Sequence, residues 1–252
     1  MTRIAIAGGT GLVGRYARES LCRAGHETVT LARATGVDLL AGAGLADALR
    51  GVRAVIDVTN TPAASPDETR AFFGTVTGNL LAAELQAGVE HHVALSIVGA
   101  DRVEGNGHYA GKRRQEELVM DGPVAVTIMW ATQFHEFAGM VVSWTRRGSV
   151  AEVPPLLVQP TAAADVGDAL ARAALGNPAG VTELAGPEPQ DLVDMARRTL
   201  EFRGEALRLV PTWRGPFGVE MAGEVLLPEE RAVLTPTTFG QWLATQQPAA
   251  AR

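Results

Sequence analysis

The sequence predicts an α/β fold built around a doubly wound parallel sheet. Short runs rich in Val, Ile and Leu alternate with longer segments of helical periodicity, which is the pattern of βαβ units. Most of the short runs are apolar throughout rather than alternating, as expected for strands covered on both faces. A glycine-rich turn directly follows the first run, and such turns often open the first helix of this fold class.

The predicted elements of the first half follow this alternation. We predict strands at residues 3–7, 28–32, 37–39, 54–59, 92–98 and 124–130. We predict helices between them at residues 12–24, 43–50, 66–87 and 111–120. Right-handed crossovers would order these strands around the first one.

The alternation loosens in the C-terminal part. We predict helices over residues 131–147, 163–175 and 187–204 there, the last ended by Gly204. Pro-rich turns separate these pieces, so we do not expect them to fold independently. Residues 1–252 are therefore expected to form a single domain, in which residues from about 134 to 252 form a small cap on the substrate side.

Composition narrows the classes of function. The chain of 252 residues has a formal net charge of −6 and no long Lys/Arg run, which argues against nucleic acid as its main partner. No apolar run approaches the roughly 20 residues of a membrane span, and the N-terminus does not resemble a signal peptide. We expect a cytoplasmic protein that binds a small-molecule substrate, with no membrane partner; an oligomer is possible.

Cysteine and histidine usage gives further limits. The single cysteine, Cys22, lies in a predicted helix, so we expect a buried structural thiol in a reducing compartment. The His91-His92 and His135-Glu136 pairs lack the spacing of a zinc site, so we predict no metal. The absence of a G-x-S-x-G turn disfavours a hydrolase.

The segment AGGTGLVG, residues 7–14, indicates a nucleotide site. Gly8 permits a tight turn, Gly11 lets a pyrophosphate approach the backbone, and Gly14 permits close packing of helix on strand. N–H groups at the helix N-terminus would then face the anion. This pattern favours a Rossmann-type, NAD(P)-binding fold. The expected cofactor contacts in this segment are Gly8, Thr10, Gly11, Leu12 and Val13.

The end of the second predicted strand indicates which dinucleotide binds. Proteins that prefer the unphosphorylated cofactor place Asp or Glu there to hold the ribose 2′-hydroxyl, whereas this chain has Ala32-Arg33. A guanidinium suits a 2′-phosphate by its charge and its donor geometry. We therefore predict that NADP(H) is preferred over NAD(H), read by Arg33 with help from Thr35. The alternative is that Arg33 is only a surface residue.

An ordered set of motifs resembles the atypical short-chain dehydrogenase/reductase superfamily and, within it, the NmrA-like NAD(P)-binding group. The motifs are AGGTGLVG, LARATGVDLL, GVRAVIDVTNTP, HHVALSIVGAD, the helix with Lys112, TQFHEF, PTAAADVGDAL and TELAGPE. This resemblance covers nearly the whole chain. It implies further cofactor contacts at Asp38, Leu39, Thr59, Asn60, Thr61, Ser96, Ile97, Lys112, Thr132 and Phe134. Asp38 and Asn60 also have structural interpretations, as a turn cap and a loop residue.

The same resemblance implies an acid/base site. In reductases of this superfamily a Tyr and a Lys four residues later share one helix face. By likeness, Lys112 would bind the nicotinamide ribose and lower the pKa of the proton donor, and Ser96 would orient the substrate. His108 stands where the family has Tyr, and Tyr109 is only three residues before Lys112. His108, Tyr109 or neither could therefore be the donor.

The implied activity is that of an NADPH-dependent oxidoreductase. Such an enzyme would transfer hydride to a small carbonyl, quinone or similar apolar acceptor. The alternative is an NADP(H)-binding redox sensor or regulatory protein without turnover, which the histidine at position 108 keeps open. Isomerase or dehydratase chemistry with a recycled cofactor would share the same fold.

Overall fold

The computed structural model describes residues 1–62, 65–214 and 217–246. Its helices are α1 (Leu12–Arg23), α2 (Leu45–Ala48), α3 (Pro66–Ala87), α4 (Gly107–Met120), α5 (Phe137–Thr145), α6 (Ala163–Leu175), α7 (Leu192–Arg203) and α8 (Phe239–Thr245). Its strands are β1 (Arg3–Ala7), β2 (Glu27–Leu31), β3 (Ala54–Asp57), β4 (His91–Ile97), β5 (Val126–Ala131), β6 (Arg146–Arg147), β7 (Val150–Val153), β8 (Leu157–Val158), β9 (Gly180–Ala185), β10 (Gln190–Asp191), β11 (Arg208–Pro211) and β12 (Val233–Leu234).

The chain divides into two compact units. The first contains Met1–Ala131 and Ala163–Glu183, and the second contains Thr132–Ala162 and Leu184–Arg252. The main sheet has the strand order β12-β9-β5-β4-β3-β1-β2. Strand β1 pairs in parallel with β2 and β3, and β4 pairs in parallel with β3 and β5. The predicted α/β fold with a doubly wound parallel sheet is therefore confirmed.

The register of the first unit aligns the carboxyl ends of its central strands. Ala7 at the end of β1 pairs with Asp57 at the end of β3, and Asp57 pairs with Ala94 in β4, which continues to Ile97. Residues that follow these strands therefore emerge at the same edge of the sheet, where ligands of doubly wound folds bind. The strands themselves are buried, and most of their side chains are apolar on both faces.

Close helix packing frames this sheet. Helix α1 buries Val13, Gly14, Ala17 and Leu21, a stripe that recurs every three or four residues and faces the core. Helix α1 packs against α6, and α3 packs against α4. The α3–α4 approach needs a glycine, since a side chain at Gly111 would lie only 2.6 Å from the Phe73 ring.

The second unit has its own small elements. Strands β11, β7 and β6 form a three-stranded sheet, and β10 pairs with β8. Its buried side chains come mainly from α5, α7 and the strands between them, and include Val141, Val153, Leu192, Met195 and Phe239. Whether the part from about 134 to 252 serves as a substrate-side cap stays a prediction.

Two elements of the first unit differ from the sequence prediction. Residues 37–39 form only an isolated bridge between Asp38 and Ala43, because the Asp38 carboxylate accepts hydrogen bonds from the backbone of Leu40 and Ala41 and bends the chain. The predicted helix at 43–50 shortens to Leu45–Ala48, after Gly44 in the left-handed region.

Three further helices begin elsewhere than predicted. Helix α7 begins at Leu192 rather than residue 187, because the Asp191 carboxylate caps it there. Helix α4 starts at Gly107 rather than residue 111, because Asn106 Oδ1 accepts hydrogen bonds from the first backbone N–H groups and caps the helix. The helix predicted from residue 131 starts at Phe137, since the preceding segment forms a bridge between Phe134 and Thr161.

The prediction of a buried Cys22 is wrong, because the thiol is exposed. Cys22 follows Leu21 by one residue and therefore points about 100° away from the buried stripe of α1. Within the described part of the chain, no helix is both long and apolar enough to cross a membrane.

Candidate active site

The glycine loop adopts the backbone that its pattern predicts. Gly8 has a φ of +80°, and a side chain there would lie 2.7 Å from the Val58 carbonyl oxygen beyond β3. A side chain at Gly14 would lie 2.6 Å from the Gly9 Cα. Gly8 therefore needs both its φ and its small size, and Gly14 permits the contact between helix and loop.

The loop leaves the N-terminus of α1 open. Gly11 is the N-cap residue, and it supplies no side chain to the free N–H groups of the first turn. That turn contains no acidic residue, and Thr10 and Gly11 are exposed. Free N–H groups with the positive end of the helix dipole behind them form an anion site.

Arg33 and Thr35, the two residues after β2 predicted to read a 2′-phosphate, differ in their surroundings. Arg33 is exposed, and its side chain makes no hydrogen bond or ion pair with another described residue, so its guanidinium is available to a ligand. The Thr35 hydroxyl instead donates to the Thr30 carbonyl oxygen at 2.7 Å and closes the turn. The role of Arg33 toward a 2′-phosphate stays a prediction.

The Asp38 loop has a structural explanation for its acidic residue. Asp38 Oδ1 accepts from the backbone N–H groups of Leu40 and Ala41, at 2.9 and 3.2 Å. Asn79 of α3 holds the same loop by donating to the carbonyl oxygens of Leu39 and Leu40. Asp38 therefore acts as a turn cap, and contact of Asp38 and Leu39 with adenine stays a prediction.

The turn after β3 combines a fixed backbone with an unpaired hydroxyl. Asp57 Oδ1 accepts from the Thr59 backbone N–H at 2.9 Å, and Asn60 Oδ1 accepts from the Thr61 N–H at 2.8 Å. The Thr59 hydroxyl is buried without a hydrogen-bond partner among the described residues. A buried polar atom of this kind is costly unless a ligand or water pairs with it.

Lys112 is the only lysine in the sequence, and it is buried, with 5% of its surface exposed. Its Nζ donates to Leu95 O at 2.8 Å, to Gln115 Oε1 at 2.9 Å and to Thr59 O at 3.3 Å. Burial lowers the pKa of Lys112 to about 8, against the opposing charges of Asp57 and Glu116. The chain's single lysine amine therefore lies near the ends of β3 and β4, with a pKa close to neutral pH.

Gln115 and Asp57 continue this hydrogen-bonded network. Gln115 Nε2 donates to Asp57 Oδ2 at 2.8 Å, and neither residue is exposed to solvent. Sequence reasoning missed both. A signal was present, because an Asp in the buried strand AVID needs a polar partner.

His108 and Tyr109 occupy the first turn of α4. The longer helix places His108 one turn before Lys112, with the ring half-buried. Burial, followed by the charge of Lys112, lowers the pKa of His108 to about 4. Tyr109 is 5% exposed, and its ring meets the His108 ring edge to face at 6.1 Å. His108 is therefore in register with Lys112, and it is neutral at pH 7.

Ser96 pairs with a carboxyl group further along α4. Its hydroxyl donates to Glu116 Oε1, which also accepts from Trp130 Nε1 at 3.1 Å. Burial raises the pKa of Glu116, against these two hydrogen bonds and the charge of Lys112. Ser96 is therefore oriented by Glu116, a residue that sequence reasoning did not select. Ile97, the next residue, is half-buried at the end of β4.

Two predicted cofactor contacts lie in the second unit. The Thr132 hydroxyl donates to Gln159 O at 2.6 Å, and Phe134 bridges to Thr161. Gln133 between them is 7% exposed, yet neither atom of its side-chain amide has a partner among the described residues. Sequence reasoning missed Gln133 as well.

Comparisons with known proteins found one curated relative of the chain. No protein-family model matches the chain. The chain is 29% identical over 227 residues to a (4-alkanoyl-5-oxo-2,5-dihydrofuran-3-yl)methyl phosphate reductase from Streptomyces griseus, covering 81% of this chain and 75% of that protein.

Solved structures share the fold at low identity. An NADPH-dependent quinone oxidoreductase from Escherichia coli has a TM-score of 0.69 and 18% identity, covering 96% of this chain and 98% of that one. A short-chain dehydrogenase/reductase superfamily protein from Agrobacterium tumefaciens with bound NAD has a TM-score of 0.68 and 18% identity, covering 96% and 95%. A UDP-glucose 4-epimerase from Thermus thermophilus with NAD has a TM-score of 0.67 and 19% identity, covering 100% and 95%.

The chain has the short-chain dehydrogenase/reductase fold. The fold that the resemblance of the ordered motifs implies is therefore confirmed. Within this fold the first unit contains the glycine loop, the turn after β3, Ser96, His108 and Lys112. Among the described residues, no group of three or more His, Cys, Asp or Glu could hold a metal ion.

Proposed function

We propose that this protein is an NAD(P)H-dependent oxidoreductase that reduces a small carbonyl, quinone or similar apolar acceptor. One observation carries the proposal: the glycine loop and Lys112 contact consecutive residues beyond β3. A side chain at Gly8 would lie 2.7 Å from Val58 O, and Lys112 Nζ lies 3.3 Å from Thr59 O. An anion site and a buried cation thus flank one strand end, as a dinucleotide laid across the sheet edge requires.

The residues present fit such a cofactor. The uncapped first turn of α1 suits a pyrophosphate. The Thr59 hydroxyl, buried without a partner among the described residues, could hydrogen-bond to a polar atom of the cofactor. Residues 8–13 would hold the pyrophosphate, and residues 59–61 with Lys112 would hold the nicotinamide half. When bound, the reduced nicotinamide supplies a hydride to the acceptor.

Arg33 is the basis for proposing NADP(H) over NAD(H). Its exposed guanidinium follows β2, and the turn there carries no carboxylate to bind a ribose 2′-hydroxyl. The relatives differ on this point, since one is named as NADPH-dependent and two contain NAD. The preference of this chain therefore rests on Arg33.

We assign His108 the role of the group nearest the reacting oxygen. With a pKa of about 4 the ring is neutral at pH 7, so it cannot deliver a proton as imidazolium. A neutral ring can still donate its N–H proton to a developing alkoxide while its second nitrogen takes a proton from water. The half-buried position of His108 permits both contacts. Ser96, held by Glu116, would orient the acceptor.

A sensor without turnover is the second candidate. The sensor is favoured because all three N–H groups of Lys112 already donate hydrogen bonds to protein acceptors. Such a protein would bind the dinucleotide through the glycine loop and leave Lys112 in its internal network.

Oxidation of NADPH, followed at its absorbance maximum, would separate the two candidates. The acceptor panel should include quinones, ketones and the dihydrofuranone phosphate in the name of the Streptomyces griseus relative. We expect turnover with at least one acceptor and a loss of about 100-fold or more in kcat/KM for Lys112→Ala. Arg114→Ala is the matched control, because Arg114 is a solvent-exposed base on the same helix.

Two outcomes would contradict the proposal. Calorimetric binding of NADPH without turnover of any acceptor would favour the sensor. The absence of binding by either NADPH or NADH would exclude both candidates.

A further inference from the structure

A buried chain of hydrogen bonds joins Asp57 to Lys112 through Gln115. Lys112 Nζ donates to Gln115 Oε1 at 2.9 Å, and Gln115 Nε2 donates to Asp57 Oδ2 at 2.8 Å. Asp57 and Gln115 are completely buried. The second carboxylate oxygen of Asp57 accepts from the Thr59 backbone N–H at 2.9 Å, so one carboxylate holds both the amide and the turn after β3.

The charges at the two ends fix the orientation of the Gln115 amide. Its oxygen faces an ammonium and its nitrogen faces a carboxylate, so a flipped amide would bring donor to donor and acceptor to acceptor. Hydrogen bonds to charged groups are stronger than neutral ones. Gln115 therefore has one stable orientation, and that orientation sets the position of an acceptor for Lys112.

The three contacts of Lys112 differ in length. Those to Leu95 O and Gln115 Oε1 measure 2.8 and 2.9 Å, whereas that to Thr59 O measures 3.3 Å. The longest contact is the weakest, so it can be replaced by a ligand oxygen at the lowest cost. Phe73 closes another side, with its ring centroid 4.7 Å from Nζ.

We propose that Asp57 and Gln115 are positioning residues for Lys112: Gln115 fixes the direction of the ammonium, and Asp57 fixes both Gln115 and the Thr59 turn. The proposal rests on the proposed function in so far as Lys112 serves the dinucleotide. Neither Asp57 nor Gln115 touches the reacting groups. Gln115 Oε1 and Leu95 O hold two N–H groups of Lys112, and the third, toward Thr59 O, stays available for exchange.

The single lysine makes this proposal testable without any substrate. Protein labelled with ¹⁵N-lysine would give one side-chain signal, from Lys112, whose titration can be followed by NMR. Asp57→Asn removes the carboxylate, the first of the charges that raise the pKa of Lys112, and keeps the shape. Gln115→Met keeps the length of the side chain and removes both hydrogen bonds.

We expect both variants to increase the proton dissociation constant of Lys112 by about tenfold or more, relative to a wild-type pKa of about 8. The alkaline limb of the pH profile of kcat/KM should shift to lower pH by about one pH unit or more, which corresponds to the same tenfold change. Glu117→Gln is the control, because Glu117 is 59% exposed on α4 and pairs only with Arg114 among the described residues. It should leave the titration unchanged.

Folded variants with an unchanged Lys112 titration would overturn the proposal. If neither variant folds, Asp57→Asn combined with Lys112→Met should restore folding, since it removes both buried charges and leaves the Gln115 Nε2 group an oxygen acceptor at position 57. Failure of that double variant to fold would also count against the proposal. If the wild-type protein reduces no acceptor, only the proposed function is contradicted. The positioning proposal is still tested, because the NMR titration does not depend on turnover.

Discussion

Burial of His108 and the positive charge of Lys112, one helical turn further along α4, lower the pKa of the His108 imidazole to about 4. The pair therefore has the four-residue spacing of the Tyr-Lys pair in short-chain dehydrogenases/reductases but not its chemistry. A neutral imidazole next to a buried ammonium is a much weaker acid than an imidazolium.

His108→Tyr should raise turnover. It would place a phenol in register with Lys112, whose charge favours the phenolate and strengthens the acid. Because general acid catalysis contributes about 10²–10⁴-fold, we expect at least a tenfold increase in kcat for carbonyl acceptors. Steady-state kinetics with saturating NADPH would measure it.

Tyr109→Phe is the matched control for that substitution. Tyr109 is off the Lys112 face by about 60°, so loss of its hydroxyl should change kcat less than twofold. A large loss of activity in Tyr109→Phe, with no gain in His108→Tyr, would assign the proton to Tyr109 instead.

Arg33→Glu should reverse the cofactor preference. The substitution removes a donor for a 2′-phosphate and introduces a carboxylate that repels it and suits a 2′-hydroxyl. We expect the ratio of Kd values for NADPH and NADH to change by about tenfold or more, as measured by calorimetry.

Arg172→Glu is the control for Arg33→Glu, because it changes the net charge equally at an exposed site on α6. An unchanged cofactor ratio in Arg33→Glu would identify Arg33 as a surface residue.

The sequence predicted most local features and missed the contacts between residues far apart in the chain. The glycine loop and the helix that follows it lie within one short segment, so residue type and spacing were sufficient. The start of α4 was missed although Asn106 stands before the helix as a capping residue. The Gly residues on both sides of it made the segment look like a loop.

The hydrogen-bonded network around Lys112 could not be predicted from the spacing of residues in the sequence. Gln115 and Asp57 are 58 residues apart in sequence, and Lys112 and Thr59 are 53 apart. Only the register of β3 and β4, together with the packing of α4, brings these residues together. Two signals were present in the sequence: the single lysine of the chain lies in this position, and the buried strand AVID ends in an Asp.

Gly14→Ala should damage the cofactor site through packing. The added methyl group would lie 2.6 Å from the Gly9 Cα and would also clash with Gly8 O, so the loop must shift. We expect NADPH affinity to fall by about tenfold or more. We also expect overpacking to lower the free energy of unfolding by about 1–3 kcal/mol. Calorimetry and urea unfolding would measure the two effects.

Gly78→Ala is the matched control for Gly14→Ala. Gly78 also lies within a helix, but a side chain there meets nothing within 4 Å. Its substitution should stabilise the protein by up to about 1 kcal/mol and leave cofactor affinity unchanged. Equal effects of the two substitutions would contradict the packing role of Gly14.

Glu84→Gln should change how stability depends on pH. Glu84 and His92 are completely buried, and His92 Nδ1 lies 2.9 Å from Glu84 Oε1. Burial lowers the pKa of His92, but Glu84 and Asp57 outweigh it and raise the pKa above the usual 6.5. The stabilisation from this pair is therefore complete below pH 6.5 and is lost as the pH rises through the folded-state value.

The difference between wild type and Glu84→Gln in unfolding free energy should thus be largest on the acidic side. Breaking a buried pair costs about 3–5 kcal/mol, and the difference should shrink toward alkaline pH. Urea unfolding across the neutral range would test it, with the exposed Glu117→Gln as the control. A difference that is constant with pH would indicate that His92 is neutral in the wild-type protein.

Gln133→Leu should stabilise the protein, and it tests whether the amide binds the acceptor. Both atoms of the Gln133 amide are buried without partners in the described part of the chain, and a buried unsatisfied group costs about 1–3 kcal/mol. Leu has a similar volume and no polar atoms, so thermal unfolding should shift to higher temperature. If the amide binds an acceptor, KM should rise by about tenfold while the Kd for NADPH stays unchanged. An increase in stability with unchanged KM would show that Gln133 does not contact the substrate.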